Sequence, residues 1–260
     1  MPLSTSWRAL RTGAAFVVFG ACCLFVTLVA IPWLRLRESD PPERERRVQL
    51  TVKSVLGLFV GALKGFGLMR FRGEGLEALA QPGILVVANH PTLIDAPVLL
   101  RVMSPAVCVT KMANVANPFM GGVIAGAGYI PNQGGAAIVE TAVNRLERGS
   151  SLLLFPEGTR SPEKRLGEFH RGAAHIALAS QHDVLPALIT CDPPTLMRGQ
   201  KWYEVPDRAF EFSVRVGDPI AVEPYREALA AGESRGRVAR RLNAELREFF
   251  EKGLGRGAEG

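Results

Sequence analysis

The chain has 260 residues, with 31 basic and 25 acidic side chains and a net charge of +6. Apolar residues make up 47% and the mean hydropathy is only +0.12, which excludes a polytopic membrane protein. The basic balance suits nucleic acid, an anionic membrane surface or an anionic substrate. No helix-turn-helix signature, zinc-finger spacing or aromatic RNA-binding motif is present, so we expect no nucleic-acid partner. The 4 cysteines include no C-x-x-C pair, which argues against a metal site or a disulfide framework.

An uncharged apolar run from Thr12 to Leu34 dominates the N-terminal part of the sequence. As a helix this run is about 34 Å long, enough to cross a hydrocarbon core of roughly 30 Å. A cleaved signal peptide is the alternative, but its apolar stretch would be shorter and would end in small residues. This run ends in Pro32-Trp33-Leu34, which favours a membrane anchor.

Basic residues flank the run unequally, with Arg8 and Arg11 on one side and six basic side chains on the other. The six are Arg35, Arg37, Arg44, Arg46, Arg47 and Lys53. For a single span, this bias places the larger C-terminal portion on the cytoplasmic face of the membrane.

A second apolar segment, Ser54 to Leu63, is too short to span a bilayer. An interfacial or re-entrant helix is favoured, and an ordinary buried helix of the following domain is the alternative. Residues 38–47 are interpreted as a linker. We therefore assign residues 1–70 to N-terminal membrane-anchoring helices and residues 71–260 to a second, folded domain.

Short apolar strands alternate with helices in the rest of the chain. The predicted strands are Ile84–Ala88, Ala106–Thr110, Ser151–Phe155, Val184–Thr190 and Phe210–Val216. The predicted helices are Ile138–Arg148, Arg171–Ser180 and a final amphipathic helix that buries Val238, Leu242, Leu246 and Phe249. This alternation predicts an α/β fold with a mixed, mostly parallel sheet flanked by helices.

His90 and Asp95 are the first candidate catalytic residues. The strand Ile84–Ala88 runs directly into Asn89-His90-Pro91, and Pro91 suits the first turn of a helix. His90 would then lie where α/β folds expose reactive side chains, with Asp95 near enough to contact the imidazole. A carboxylate against one ring nitrogen leaves the other free to deprotonate a hydroxyl. A capping histidine with a solvated aspartate is the alternative.

The second candidate segment is Phe155-Pro156-Glu157-Gly158-Thr159-Arg160, at the end of another predicted strand. A glycine turn there exposes backbone N–H groups, and Arg160 adds a forked donor for phosphate or carboxylate. Glu157 can accept hydrogen bonds from substrate hydroxyls. A structural turn is the alternative for the segment. Lys111, after a further strand, can reach an anionic donor or acceptor, or it is simply solvated.

These motifs together resemble the glycerolipid acyltransferase family, of the lysophosphatidic acid acyltransferase type. The family's H-x4-D block is similar to Asn89–Asp95, and its phosphate-binding block is similar to Phe155–Arg160 continuing into Ser161. A lesser block resembles Val184-Leu185-Pro186. Apolar N-terminal helices also suit the family, whose members work at the membrane face. The family's second block usually ends in an arginine that helps to hold the acceptor phosphate, and here that position is Asn132. This departure leaves open a lysolipid with another head group.

The resemblance implies acyl transfer from an acyl thioester, either acyl-CoA or an acyl carrier protein, to the hydroxyl of a lysolipid acceptor. His90 and Asp95 would be catalytic; Glu157, Gly158, Thr159, Arg160, Lys111 and Asn132 would bind substrate. Membrane lipids are expected partners, and no metal or bound cofactor is implied because the thioester is a co-substrate. A lipid thioesterase or esterase that uses the same pair, and a non-catalytic lipid-binding membrane protein, are the alternatives.

One further pattern, Gly232-x-Ser234-x-Gly236, matches the nucleophile elbow of serine hydrolases. It follows an alanine-rich helical stretch and not an apolar strand, so we assign it no catalytic role.

Overall fold

A computed structural model of the chain describes residues 3–162 and 165–256. Its centre is a seven-stranded sheet with the strand order β1-β7-β6-β2-β5-β3-β4, and every neighbouring pair is parallel except β6 and β7. The strands are β1 (Met69–Glu74), β2 (Leu85–Ala88), β3 (Ala106–Lys111), β4 (Ile130–Asn132), β5 (Ser151–Leu154), β6 (Val184–Asp192) and β7 (Phe210–Val216). The predicted α/β class, with a mostly parallel sheet between helices, is confirmed.

The helices cover both faces of this sheet. They are α1 (Leu3–Phe25), α2 (Ile31–Arg37), α3 (Pro41–Gly65), α4 (Leu76–Leu79), α5 (Asp95–Val102), α6 (Met112–Val115), α7 (Gly121–Gly126), α8 (Ala136–Glu147), α9 (Gly172–Ser180), α10 (Glu223–Ala230) and α11 (Arg235–Arg256). Alternate side chains of β2 point to opposite faces, as a strand requires. Val86 and Ala88 join the core cluster that includes the N-terminal helices. Leu85 and Val87 join the cluster beneath the later helices.

The final helix buries a slightly different stripe from the predicted one. Val238, Leu242 and Leu246 are fully buried as expected, but the fourth position is Phe250 and not Phe249. Phe249 is only partly buried at the edge of the same cluster, and its ring contacts that of Phe250.

The N-terminal run forms one continuous helical rod, because a π-helical turn at Val26–Ala30 joins α1 to α2. The predicted linker is largely wrong: only residues 38–40 connect the helices, and Asp40 caps α3 by accepting a hydrogen bond from the Glu43 N–H. The predicted apolar segment Ser54–Leu63 is the second half of α3. One face of α3 is buried in the core shared with the sheet.

Small residues on α7 let the N-terminal rod approach closely. A Cβ at Gly122 would lie 2.2 Å from Thr27 Cγ2, and one at Gly126 would lie 2.3 Å from Ile31 Cδ1. At the other end of the rod, Arg8 donates to the Pro206 carbonyl and Arg11 donates to the Phe66 carbonyl. The rod therefore contacts the α/β portion along most of its length.

Two helical stretches are long and apolar enough to cross a membrane, Ser6–Arg37 and Pro41–Gly65. In their most apolar windows only 28% and 44% of the residues are buried inside the protein. Length and composition alone make this weak evidence for spanning, since core helices and signal sequences have the same properties.

Candidate active site

The sheet topology brings the two candidate motifs together. β2 and β5 are parallel neighbours, with Val87 opposite Leu154, so both chains leave the sheet at the same carboxyl edge. His90 follows β2 by two residues, and the segment from Phe155 follows β5 directly. Ligands of open α/β sheets bind at this edge.

His90 and Asp95 are in direct contact. His90 Nδ1 lies 2.7 Å from Asp95 Oδ2, which gives the contact that the spacing predicts. The helix start differs from the prediction: Pro91 precedes the helix, and Asp95 is the first residue of α5. Residues 91–94 form an irregular turn in which Asp95 folds back on the segment before it.

Asp95 is fully buried and accepts three hydrogen bonds, from His90 Nδ1, from the Thr92 N–H and from the Thr92 hydroxyl. Burial raises the pKa of the Asp95 carboxyl above its usual value, and the hydrogen bond from His90 is the largest effect that opposes this rise. Thr92 is itself fully buried. The carboxylate is thus held in one orientation against the imidazole.

The imidazole of His90 is held between Asp95 and an aromatic ring. Its ring stacks on Phe155, with centroids 4.3 Å apart and an interplanar angle of 25°. The side chain keeps 21% of its surface accessible. Because Asp95 occupies Nδ1, Nε2 is the ring nitrogen available to a substrate.

The two motifs also interlock through their backbones. The His90 N–H donates to Glu157 Oε1 at 3.0 Å, and the His90 carbonyl accepts from the Ser161 N–H at 2.7 Å. The Ser161 hydroxyl donates to the same Glu157 oxygen, while Glu157 Oε2 accepts from the Gly167 N–H. This arrangement corrects the predicted role of Glu157. The residue is 4% exposed and its carboxylate accepts internal hydrogen bonds, so it positions His90 and does not receive substrate hydroxyls.

Gly158 makes the sharp turn that the sequence predicts. Its φ is +61°, and its N–H donates to the Phe155 carbonyl. Lys111, at the end of β3, extends across the neighbouring strand end and donates from Nζ to the Thr159 hydroxyl at 2.9 Å. The Lys111 side chain therefore lies beside the glycine turn, which follows β5, the strand next to β2 and His90.

Arg160 is oriented by the loop that follows β6. Its Nη1 donates to the carbonyls of Leu196 and Met197, at 2.9 and 2.8 Å. Within residues 3–162 and 165–256, Nε and Nη2 have no hydrogen-bond partner. This edge of the guanidinium can bind an anion through two parallel hydrogen bonds.

Asn132 lies farther out than the other candidates. It ends β4 and pairs in register with Lys111, so three strand spacings, about 14 Å, separate its backbone from β2. Its side chain is exposed and accepts a hydrogen bond from the Gly134 N–H. The residue borders the site and does not contact His90.

Asn89 is a supporting residue whose role the sequence does not indicate beyond its place in the H-x4-D block. Its buried amide donates to the Ile189 carbonyl and accepts from the Ile189 N–H, and so ties the end of β2 to β6. Thr92 was missed in the same way. Both are polar residues inside an apolar context, the signal that could have identified them.

The acyltransferase family model matches residues 70–190 of the chain. The chloroplastic 1-acyl-sn-glycerol-3-phosphate acyltransferase of Arabidopsis thaliana is 29% identical over 120 residues, which cover 44% of this chain and 34% of that protein. The Limnanthes alba enzyme of the same name is 31% identical over 187 residues, covering 68% and 64%. The beta form from Homo sapiens is 28% identical over 192 residues, covering 70% and 66%.

One solved structure extends the likeness to the whole fold. The crystal structure of the 1-acyl-sn-glycerophosphate acyltransferase from Thermotoga maritima superposes with a TM-score of 0.71 at 19% identity, over 96% of this chain and 97% of that one. The match to the chloroplastic relatives spans only 34% and 35% of their length. The family model, the relatives and the position of both motifs at one sheet edge all support the glycerolipid acyltransferase family for this chain.

Proposed function

We propose that the protein transfers a fatty acyl chain from an acyl thioester to the hydroxyl of a lysolipid acceptor. The observation that carries the proposal is the His90–Asp95 contact, with Nε2 left for a substrate and two cationic side chains at the same sheet edge. The relatives named above are enzymes that acylate 1-acyl-sn-glycerol 3-phosphate, which supports this substrate class.

The proposed chemistry is direct transfer. His90 Nε2 takes the proton of the acceptor hydroxyl as its oxygen attacks the thioester carbonyl. The C–S bond then breaks, and the leaving thiolate takes the proton from the imidazolium. Asp95 holds the ring in one tautomer and stabilises its charged form. No covalent intermediate with the enzyme is required.

Lys111 and Arg160 are the proposed ligands of an anionic head group. Arg160 offers its Nε and Nη2 edge, and Lys111 can exchange its hydrogen bond with Thr159 for one with a phosphate oxygen. Asn132 would border the distal side of the head group. Either acyl-CoA or an acyl carrier protein would supply the thioester, and we propose no bound cofactor or metal.

We further propose that the protein is membrane-bound, with membrane lipids as its surroundings. Apolar side chains of the N-terminal rod are exposed, among them Val17 at 72%, Leu28 at 66% and Leu36 at 84%. Basic residues near the α2–α3 turn suit an anionic, cytoplasmic leaflet. Because the rod also contacts the α/β portion, an orientation flat against the membrane surface suits it better than a free span.

The test is mass spectrometry of lipids formed by purified protein from several lysolipids and both thioester donors. Transferred acyl chains support the proposal, whereas release of free fatty acid alone would indicate a thioesterase. His90→Ala should lower the rate about 10²–10⁴-fold, because it removes the general base. His182→Ala is the matched control, since His182 lies before β6 at the opposite sheet edge. A His90→Ala variant with more than half of the wild-type rate would rule out this mechanism.

A further inference from the structure

A groove outside the active site lies along the line where α3 packs against the end of α5. Its volume is about 540 Å³. None of its lining residues is acidic, and two are cationic: Leu50, Lys53, Ser54, Gly57, Arg101 and Val102. A groove with this lining has a net positive charge.

Arg101 is the unusual residue of the groove. Its Nε is buried and has no hydrogen-bond partner in the described residues. The guanidinium lies 5.2 Å from the centre of the Phe71 ring, and no ion pair is found for it in the described part of the chain. A buried donor without a partner is unfavourable, so such groups call for a ligand or a functional reason.

Lys53 has a partial structural role. Its Nζ donates to the Met103 carbonyl at 2.7 Å and so caps the C-terminus of α5. An ammonium has three donors, so this bond leaves others for a ligand. The capping role explains Lys53 but leaves the buried Nε of Arg101 unexplained.

An exposed apolar stripe of α3 continues from the groove. Leu50 is 37% exposed and Leu58 is 64% exposed, at a spacing that puts both on one helix face. Between them, a Cβ at Gly57 would meet no atom within 4 Å, so the groove is open there. A ligand in this place would meet two cations at one end and an apolar helix face along its length.

We propose that this groove binds the phosphate of an anionic membrane phospholipid, with Arg101 and Lys53 on the phosphate and an acyl chain along the Leu50–Leu58 face of α3. The proposal rests on the membrane association proposed above. The groove is separate from the acceptor site, because Arg101 lies six residues, about 9 Å along α5, from Asp95. It also lies toward the opposite edge of the sheet, where β3 begins.

The test measures binding of the full-length protein to vesicles by flotation, without acyl donor, so that the result does not depend on catalysis. The measured quantity is the ratio of the partition coefficients on phosphatidylcholine vesicles with and without phosphatidylglycerol. Arg101→Lys keeps the charge but removes the planar fork, and we expect it to lower this ratio about tenfold. Arg101→Gln should lower the ratio at least as much.

Two glycine substitutions that leave the charge unchanged test the groove itself. Gly57→Leu fills the groove, whereas Gly61→Leu adds the same side chain one turn away at an equally open position of α3. We expect Gly57→Leu to lower the ratio severalfold and Gly61→Leu to leave it unchanged. Neither glycine has a positive φ, so both variants should fold, which circular dichroism and the thermal midpoint will check.

Three results would overturn the proposal. If Arg101→Lys and Gly57→Leu both have the same partition ratio as the wild type, the selectivity comes only from diffuse attraction of basic residues to the anionic vesicle surface. Inorganic phosphate that abolishes the selectivity at the same concentration as lipid phosphate would assign the groove to free phosphate. A wild-type protein that binds neither vesicle would refute membrane association, and the groove proposal with it, and would leave the proposed acyl transfer untouched.

Discussion

Asp95 combines complete burial with three hydrogen bonds, and this combination determines what a substitution there should do. In Asp95→Asn one of the two acceptor oxygens becomes an NH2 donor, so the network that His90 and Thr92 donate into cannot be fully made and the imidazolium loses its counter-charge. We expect kcat to fall about 10²–10⁴-fold with a much smaller change in KM. Steady-state kinetics will measure both, and a change confined to KM would contradict the assigned role.

Arg160 and Lys111 should be separable by the charge of the acceptor. We expect Arg160→Ala to raise the apparent KM for a phosphorylated acceptor about 10–100-fold, with a smaller effect on the acyl donor, since a charge-assisted contact stabilises binding by about 1.5–3 kcal/mol. Lys111→Met should act in the same direction without disturbing the loop after β6. Kinetics with a phosphorylated and a neutral acceptor will test both residues. Equal effects of Arg160→Ala on the two acceptors would mean that its role is to hold the Leu196 and Met197 carbonyls.

For individual residues, the sequence predicts contacts between near neighbours in the chain and misses contacts between residues that are far apart in the chain. His90 and Asp95 are 5 residues apart, so a strand end and a turn suffice to bring them together. The partner of Glu157 is 67 residues away, and that of Asn89 is 100 residues away. Their roles depend on strand order, which hydrophobic patterning does not specify.

Among the elements, the close contact between the N-terminal rod and α7 should be sensitive to side-chain size. A Cβ at Gly122 would overlap most of the Thr27 side chain, including its Cβ, which a change of rotamer cannot relieve. We expect Gly122→Val to destabilise the protein by about 1–3 kcal/mol. Gly20→Ala on α1 is the control, because a Cβ there meets no atom within 4 Å and alanine favours a helix. Thermal unfolding in detergent will compare them; equal midpoints would show that the contact is not close in solution.

The sequence predicts those strands and helices whose buried positions are apolar residues in a recognisable pattern. β2 and β5 are buried at every position, and continuous apolar runs identify such strands. β1 was missed because it is an edge strand in which only Met69 is buried and charged residues alternate. β4 has only 3 residues. The full length of α3 was also missed, since its first half is charged and only one face is buried.

For the whole molecule, buried thiols should reduce stability at alkaline pH. Burial raises the pKa of Cys108 from 9.0 to about 12. Above pH 9 the unfolded chain therefore releases a proton that the folded protein retains, and the free energy of unfolding falls as pH rises toward 12. The maximal loss from this group is about 1.36 kcal/mol per pH unit.

Cys108→Val should reduce that pH dependence. We expect the thermal midpoint of the variant to fall less steeply than that of the wild type between about pH 8 and pH 10.5. The difference should correspond to the titration of one thiol. Cys191, with a pKa also raised to about 12 by burial, should retain its own share. Identical slopes in the two proteins would show that Cys108 is accessible in the folded state.

The contacts of the N-terminal rod also affect the order in which the parts of the protein assemble. Arg8 donates to the carbonyls of Pro206 and Arg208, which are 198 and 200 residues later in the chain, and Trp202 lies against Gly13. At usual rates of translation, about 5–20 residues per second, these partners are synthesised roughly 10–40 s after the apolar rod. Over that interval its apolar surface is available to a bilayer before it is available to its own domain. We therefore expect the rod to enter the membrane surface during synthesis, and the rest of the protein to assemble on a helix that is already in place.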